Sequence, residues 1–440
     1  MRWPQPPPPG RRTWLALALV LLVAGCFRLI GLGYPGEEYF DEVYHAKTAF
    51  QYLNGEPPTE WVHPPTSKLL IAVGVYCFGY HPWAWRLASA VAGTALAGVF
   101  LLLARRALGS ERAALIATFL LLCDGVYLVQ SRVAMTNVFA VLFQLLSALL
   151  VLRAAGERRL RTGAMLAAGV ALGLALSTRW TSLFAWGFLG LTFLWLRHDR
   201  RRPTADPETE APGPLWREAV LLALAFVLLP SLLYLLSYVP LMLQGHPHDL
   251  RGWGREVVKV VLSQYDIWSY HANLRAKHTY FSPWWTWPLL KRPTWYFWYS
   301  GTGYVRGIVA LGNPLIWWAS VPISAWAVVT GVRGRDPRRV FCGAGFLVLW
   351  GLWAFSPRKL NFSHYLFEAI PYACLALALL VDRSWDGRQR GLALAYLAAV
   401  ALLFLHFLPF LTAMPVPTAL WSFRVPVLGG GLWRWLPGWV

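Results

Sequence analysis

Eleven stretches of the chain are apolar enough to be read as helices that cross a lipid bilayer. They cover about 13–32, 84–104, 113–129, 135–152, 162–178, 182–196, 218–243, 314–332, 340–355, 364–381 and 391–409. A hydrocarbon core about 30 Å thick takes roughly 20 residues of helix, and backbone groups inside lipid must bond to one another, so spans of this kind are helical. The chain is 57% hydrophobic and 14% charged, against roughly 25% charged in an ordinary soluble domain. That is too little charge to coat a soluble protein of 440 residues, and too much apolar surface for disorder. The expected fold class is an all-α integral membrane protein. Five cysteines (Cys26, Cys77, Cys123, Cys342, Cys374) lie mostly in apolar runs without CxxC spacing and read as packing residues, not as a disulfide scaffold. The run 69–80 is too short to cross and is expected in the interface or re-entering. The first span follows Arg11 and Arg12 like a signal peptide, but no small-residue cleavage site comes after it, so it is kept as a span.

Charge sets the expected orientation. The N-terminus carries Arg2, Arg11 and Arg12, and thereafter every second loop is basic: Arg105, Arg106 and Arg112; Arg153, Arg158, Arg159 and Arg161; Arg197, Arg200, Arg201, Arg202 and Arg217; Arg333, Arg335, Arg338 and Arg339; Arg383, Arg388 and Arg390. Cytoplasmic loops are the Lys/Arg-rich ones, which places the N-terminus inside and the C-terminus outside. The net charge of +19 follows from this alternation, so no nucleic-acid partner is expected. Residues 203–215 read as a flexible cytoplasmic linker.

Chemistry is expected on the other side, where two long loops, about 33–83 and 244–313, emerge. The second is rich in His and Trp and carries an amphipathic stretch near 253–264, suited to lying flat on the membrane. The short outer loops run against the charge rule: each carries a cation at a helix end, Arg132, then Arg179, then Arg358 with Lys359. Snorkelling toward headgroups accounts for any one of them; all three together suit an anionic lipid phosphate.

Three segments carry candidate site residues. Phe40-Asp41-Glu42-Val43-Tyr44-His45 puts paired carboxylates beside His and Tyr just after the first span, suited to a general base or a bound cation; acids in an outer loop are also ordinary solvated residues. His63-Pro64-Pro65-Thr66-Ser67-Lys68 fixes an extended backbone that places Lys68 at the interface, or simply starts an interfacial helix. In the second loop stand His271, Asn273, His278, Trp284 and Trp285. Trp faces suit sugar C–H surfaces, and an interfacial belt explains each Trp equally well. The histidines form no tight metal spacing.

Several stretches, in order, resemble the protein O-mannosyltransferase family, GT-C-fold membrane enzymes that use polyprenyl-phosphate-linked mannose: FDEVYHA at 40–46, HPPTSKLLIA at 63–72, CDGVYLVQSRVAM at 123–135, LGLALSTRWTSLF at 172–184, HTYFSPWWTWPLLKRPTWYFW at 278–298, LGNPLIWW at 311–318 and NFSHYLFEAIPY at 361–372. The resemblance spans essentially the whole chain. It departs at Asn137, where the family commonly has an acid, and at Arg179, where it often has Lys. A second outer loop of about 70 residues is too short for the β-trefoil module of eukaryotic members, so the chain resembles the compact bacterial form.

The resemblance implies a GT-C bundle of about eleven spans with two long extracytoplasmic loops, divided into 1–243, 244–313 and 314–440. It implies inverting transfer of mannose from a polyprenyl phosphate to Ser or Thr of an exported protein or peptide, at the outer face of a bacterial plasma membrane. The site residues expected from it are Asp41 as base with Glu42 in support, Arg132, Arg179, Lys68 and Arg358 on the donor phosphate, and His63, His271, His278, Trp284 and Trp285 toward sugar and acceptor. No cofactor is demanded; a divalent cation, Mg or Mn, is an open alternative for Asp41, Glu42 and a histidine. A glycolipid or lipid A-like acceptor is the rival within the same fold. A lipid-linked sugar transporter is the more remote rival, since it would place charges in mid-span.

Overall fold

The computed structural model describes residue 3 and residues 8–156, 159–201, 213–425 and 430–439. Residues 203–212 of the expected linker, and Arg2, Arg158 and Arg202, lie outside the described residues. Helix α1 (Arg11–Leu29) is followed by two short helices, α2 (Glu42–Leu53) and α3 (Thr66–Phe78), the latter being the run too short to cross. Then come α4 (Pro82–Leu108), α5 (Glu111–Leu122), α6 (Gly125–Gln130), α7 (Asn137–Ala155), α8 (Thr162–Leu176) and α9 (Ser182–Arg200). The next span is α10 (Leu215–Ala223) running through a π turn at Leu224–Leu228 into α11 (Leu229–Ser237), with α12 (Val239–Leu243) after it. The second loop holds α13 (Leu250–Asn273) and a hairpin of β1 (Thr294–Ser300) and β2 (Tyr304–Ala310). Helices α14 (Pro314–Arg333), α15 (Pro337–Gly351), α16 (Ile370–Trp385) and α17 (Arg390–Phe407) complete the bundle.

Seven helices among the described residues are long and apolar enough to cross a membrane. They coincide with most of each expected span at 13–32, 84–104, 135–152, 218–243, 314–332, 340–355 and 391–409. The remaining expected spans fall on shorter or more polar helices. The stretch 113–129 departs from expectation: it is not one helix but breaks between α5 and α6 at Cys123 and Asp124. The buried Asp124 carboxylate accepts hydrogen bonds from the Tyr127 amide (2.9 Å), the Asn313 amide (3.2 Å) and the Trp317 indole (2.6 Å). A buried carboxylate needs such partners, and obtaining them interrupts the helix and ties α6 to the start of α14.

Local chemistry explains other boundaries. α4 begins with Pro82 and stops at Gly109, whose φ of 70° a residue with a side chain rarely adopts. The π turn precedes Pro230, which has no N–H to give the Phe226 carbonyl; the Trp186 indole donates to that carbonyl instead, at 2.8 Å.

The bundle has two polar ends. At one, the Trp3 indole donates to Arg106 O (2.9 Å), Arg105 pairs with Glu111 (2.6 Å), Arg112 with Asp382 and with Asp386 (2.6 Å), and Arg197 with Glu218. These are the segments the charge pattern grouped on one side. The candidate site residues gather at the other end. There α13 is longer than the expected 253–264, and Val258, Val261, Leu262, Tyr265 and Trp268 are exposed along one face. The hairpin was not expected; β1 pairs antiparallel with β2, and β3 (Val416–Pro417), from the C-terminal tail, adds to the edge of β2.

Candidate active site

The site is built where α1 ends. The helix ends at Leu29 with Gly31 at φ 66° just past the cap, and Arg132 gathers carbonyls on both sides of this end: Nη1 donates to Phe27 O (2.8 Å), Arg28 O (3.0 Å) and Ile30 O (2.8 Å), and Nη2 to Gly31 O (3.1 Å). Arg132 was expected on the donor phosphate; its guanidinium is occupied as a helix cap. The following loop is gathered by Arg86, which donates to Leu32 O (3.1 Å), Pro35 O (2.7 Å) and Glu37 O (2.8 Å). Arg86 also makes a two-point ion pair with Glu42, at 2.8 Å from both Nε and Nη2. Glu42 accepts further bonds from the Ala134 amide (3.0 Å) and the Trp85 indole (3.3 Å). The two adjacent carboxylates therefore differ in kind: Glu42 is fully buried and its oxygens are filled, so it cannot orient an acceptor.

Asp41 has no hydrogen bond or ion pair from its carboxylate to any described residue, and it is half-buried. The residue before it, Phe40, has φ of 52°, in the left-handed region that costs a bulky residue about 1–3 kcal/mol. It is held there by stacking on Tyr296 at 3.9 Å between ring centres. Burial pushes the Asp41 carboxyl up to about 6, while the Arg358 and Arg179 charges pull it down and Glu60 pushes it further up.

Lys68 also departs from expectation. Its ammonium is buried against the Glu60 carboxylate and donates to Glu60 O (2.9 Å) and His63 O (2.7 Å), so it balances an internal acid. Burial would raise Glu60, but Lys68 and His63 hold it well below the usual carboxylate range. His63 Nδ1 lies 2.7 Å from Glu60 Oε1, and burial pushes the His63 imidazole down to about 3. The Thr66 hydroxyl donates to Ser177 Oγ at 2.7 Å, seating this motif against the turn that carries Arg179.

Arg179 and Arg358 do converge. Their guanidinium carbons lie 4.4 and 5.6 Å from the centre of the Tyr365 ring. Arg179 bonds to Asn137 Oδ1, and its Nε is 3.7 Å from Glu368 Oε1. Arg358 donates from Nε to Leu360 O (2.8 Å), and its Nη1 is 3.1 Å from His271 Nδ1. His271 is bonded through its other nitrogen to Val62 O (2.9 Å), so its ring is not free for a sugar. His278 is exposed, edge-on to Phe362 at 4.9 Å. Trp284 packs on Trp350 at 5.2 Å, and Trp285 lines an outer cleft with Lys291 and Arg292. Neither tryptophan makes a hydrogen bond or ring contact with Asp41, Arg179 or Arg358.

His364, Tyr365 and Glu368 fall inside the NFSHYLFEAIPY stretch but are not among the expected site residues, because they sit where the expected span 364–381 begins. Their signal is three polar side chains, His364, Tyr365 and Glu368, within five residues of an otherwise apolar stretch. Glu60 gives no signal of its own in an ordinary acidic loop, whereas His45, named with the Asp41 segment, lies 3.7 Å from it. The set proposed for a divalent cation does not fit one: Glu42 is held by Arg86, Asp41 faces guanidinium groups, and among the described residues no three His, Cys, Asp or Glu side chains converge as ligands.

An apolar groove of about 480 Å³ opens next to Arg179, lined by Leu176, Trp180, Leu183, Val227, Leu235 and Val261 among others. It runs between α8, α9, α11 and α13.

A helical bundle with an acid that has no bonded partner among the described residues, two arginines whose charges act on it, and an apolar groove lined by Trp180, the residue after one of them, has the architecture of a membrane glycosyltransferase of the GT-C type. The solved structures with this fold include the Saccharomyces cerevisiae protein O-mannosyltransferase Pmt1–Pmt2 complex bound to the sugar donor (TM-score 0.81, 15% identity, covering 98% of this chain and 93% of that one). ArnT from Cupriavidus metallidurans bound to undecaprenyl phosphate is also similar (TM-score 0.57, 20% identity, 89% and 64% covered). The dolichyl-phosphate-mannose-protein mannosyltransferase family model matches residues 18–85 and 81–241, and that of the C-terminal four-TMM region of protein O-mannosyltransferase matches 257–425. The chain belongs to this family. Polyprenol-phosphate-mannose–protein mannosyltransferases of Mycolicibacterium smegmatis and Mycobacterium tuberculosis are each 28% identical to it over 97% of its length, covering 93% and 92% of theirs.

Proposed function

We propose that the protein transfers mannose from a polyprenyl phosphate to a Ser or Thr hydroxyl of an exported protein, with inversion at the anomeric carbon. The observation that carries this is the pairing of one carboxylate without a partner, Asp41, with two guanidinium groups over Tyr365. Asp41 takes the acceptor hydroxyl proton as the oxygen bonds to the anomeric carbon. The bond from that carbon to the phosphate oxygen breaks, and the departing prenyl phosphate keeps the electron pair. Arg179 and Arg358 hold the phosphate as charge grows on it, which fixed donors do without reorganisation. No proton need reach the leaving group, and no metal step is invoked.

The prenyl chain lies in the groove beside Trp180, so that lipid, phosphate and base follow one another from the bilayer outward. The site faces the outside of the bacterial plasma membrane, with the N-terminus cytoplasmic, as the basic loops at the opposite end support. Residues 1–243 carry base and groove, 244–313 close the site, and 314–440 bring Arg358 and Tyr365.

The test is a reconstituted assay of the purified chain, polyprenyl-phosphate mannose and a Ser/Thr-rich peptide, read by mass. A peptide heavier by one hexose, with the opposite anomeric configuration from the donor, is expected. Transfer only to an added glycolipid would move the acceptor assignment to the rival class.

A further inference from the structure

We propose that His271 is a positioning residue for Arg358, holding its guanidinium through a neutral imidazole protonated only on Nε2. A backbone carbonyl can only accept, so the 2.9 Å contact between Nε2 and Val62 O requires the hydrogen on Nε2. A guanidinium can only donate, so the 3.1 Å contact between Arg358 Nη1 and Nδ1 requires a lone pair there. One protonation state satisfies both. Burial pushes the His271 imidazole down to about 4, helped by the charges of Arg358 and Arg179 and opposed by Glu60, so this state holds at neutral pH. His63 at 5.3 Å and Tyr270 at 5.5 Å are the other ionisable rings against it.

The arrangement does something a carboxylate could not. A neutral acceptor fixes the guanidinium without cancelling its charge. With Nε also held by Leu360 O at 2.8 Å, Nη2 has no bond to a described residue and is left for a ligand oxygen. His271 stands in the last turn of α13, Val62 in the first loop and Arg358 after α15, so the imidazole joins three segments that are distant in sequence. This inference rests on the reading that Arg358 binds the donor phosphate.

The experiment uses the full chain in lipid nanodiscs and measures donor KM, kcat and inhibition by polyprenyl phosphate for His271→Ala, His271→Gln, His271→Asn and Arg358→Ala. An Asn side-chain oxygen reaches the place of Nδ1, whereas Gln reaches the place of Nε2. Ala and Gln are expected to raise donor KM and the inhibition constant by about tenfold, the scale of one hydrogen bond to a charged group, with kcat less affected. Asn is expected to stay near wild type, and His271→Ala to add nothing once Arg358 is Ala. The acid limb of the pH profile of kcat/KM moves to higher pH in His271→Ala. Asp41 then feels Arg358 less, with Arg179, Glu60 and Tyr296 still facing it. Equal loss in Asn, Gln and Ala, or additive loss with Arg358→Ala, overturns the positioning role. Normal donor binding in Arg358→Ala would instead overturn the phosphate reading on which it rests.

Discussion

Glu42 and Arg86 meet through two hydrogen bonds of 2.8 Å where neither side chain is exposed. Removing one partner of such a pair leaves a buried charge unpaired, which costs about 3–5 kcal/mol. Glu42→Gln is therefore expected to lower the thermal midpoint in detergent markedly and to reduce the yield of folded protein. A stable, inactive Glu42→Gln would return this residue to the chemistry.

Asp41→Asn has the opposite profile. The carboxyl sits at about 6 in the fold against an ordinary value of 3.8, so the native state binds its proton more tightly than the unfolded chain does. Stability is then greatest at low pH and is lost as pH rises through about 6. The isosteric amide removes that loss, so at pH 7 the variant should melt at or above the wild-type temperature. Its transfer rate should fall by about 10²–10⁴-fold, the contribution of a positioned base.

The pH profile follows from the same group. With Asp41 as base, kcat/KM should rise with pH, turn over near 6 and stay flat toward neutrality. The profile is read with the peptide acceptor in detergent, and a flat profile between about pH 5 and 7, roughly the window of this titration, removes Asp41 from proton transfer.

The arginines should separate by assay. Arg179→Ala should raise donor KM and slow turnover, because it leaves Arg358 as the one guanidinium over Tyr365 among the described residues. Arg132→Ala should leave donor affinity alone and lower the melting temperature, since it strips the cap from α1.

A bulky residue in the groove should discriminate by lipid length. Val227→Trp is expected to raise KM for a long-chain polyprenyl donor while sparing a donor with only two isoprene units, because only the long chain reaches past Trp180. Equal effects on both would place the lipid elsewhere.

The membrane class, the grouping of polar ends and the presence of a carboxylate pair just after the first span were legible in the sequence, because hydropathy, loop charge and acids at a span end are one-dimensional signals. Partnering is not. Lys68, Arg132 and Glu42 looked like functional ions, yet each is spent inside the protein, on Glu60, on helix carbonyls and on Arg86. Arg179 and Arg358 have the same residue type and the same setting in sequence as Arg132. Only the fold shows that they share one aromatic ring. Tyr365 carries no signal of its own for a related reason: it lies at the start of an apolar stretch, and its neighbours come from the turn between α8 and α9, the second outer loop and the segment after α15. The hairpin was hidden by its tryptophans, which suit a membrane interface as well as a strand.

The carboxylate of Asp124 draws one hydrogen from its own helix and two from the opening of α14. The regions matched by the two family models are therefore not interchangeable parts. A chimaera joining the front of this chain to the back of a relative is expected to assemble only if the relative presents the same amide and indole at that seam, which ties the two halves into one folding unit.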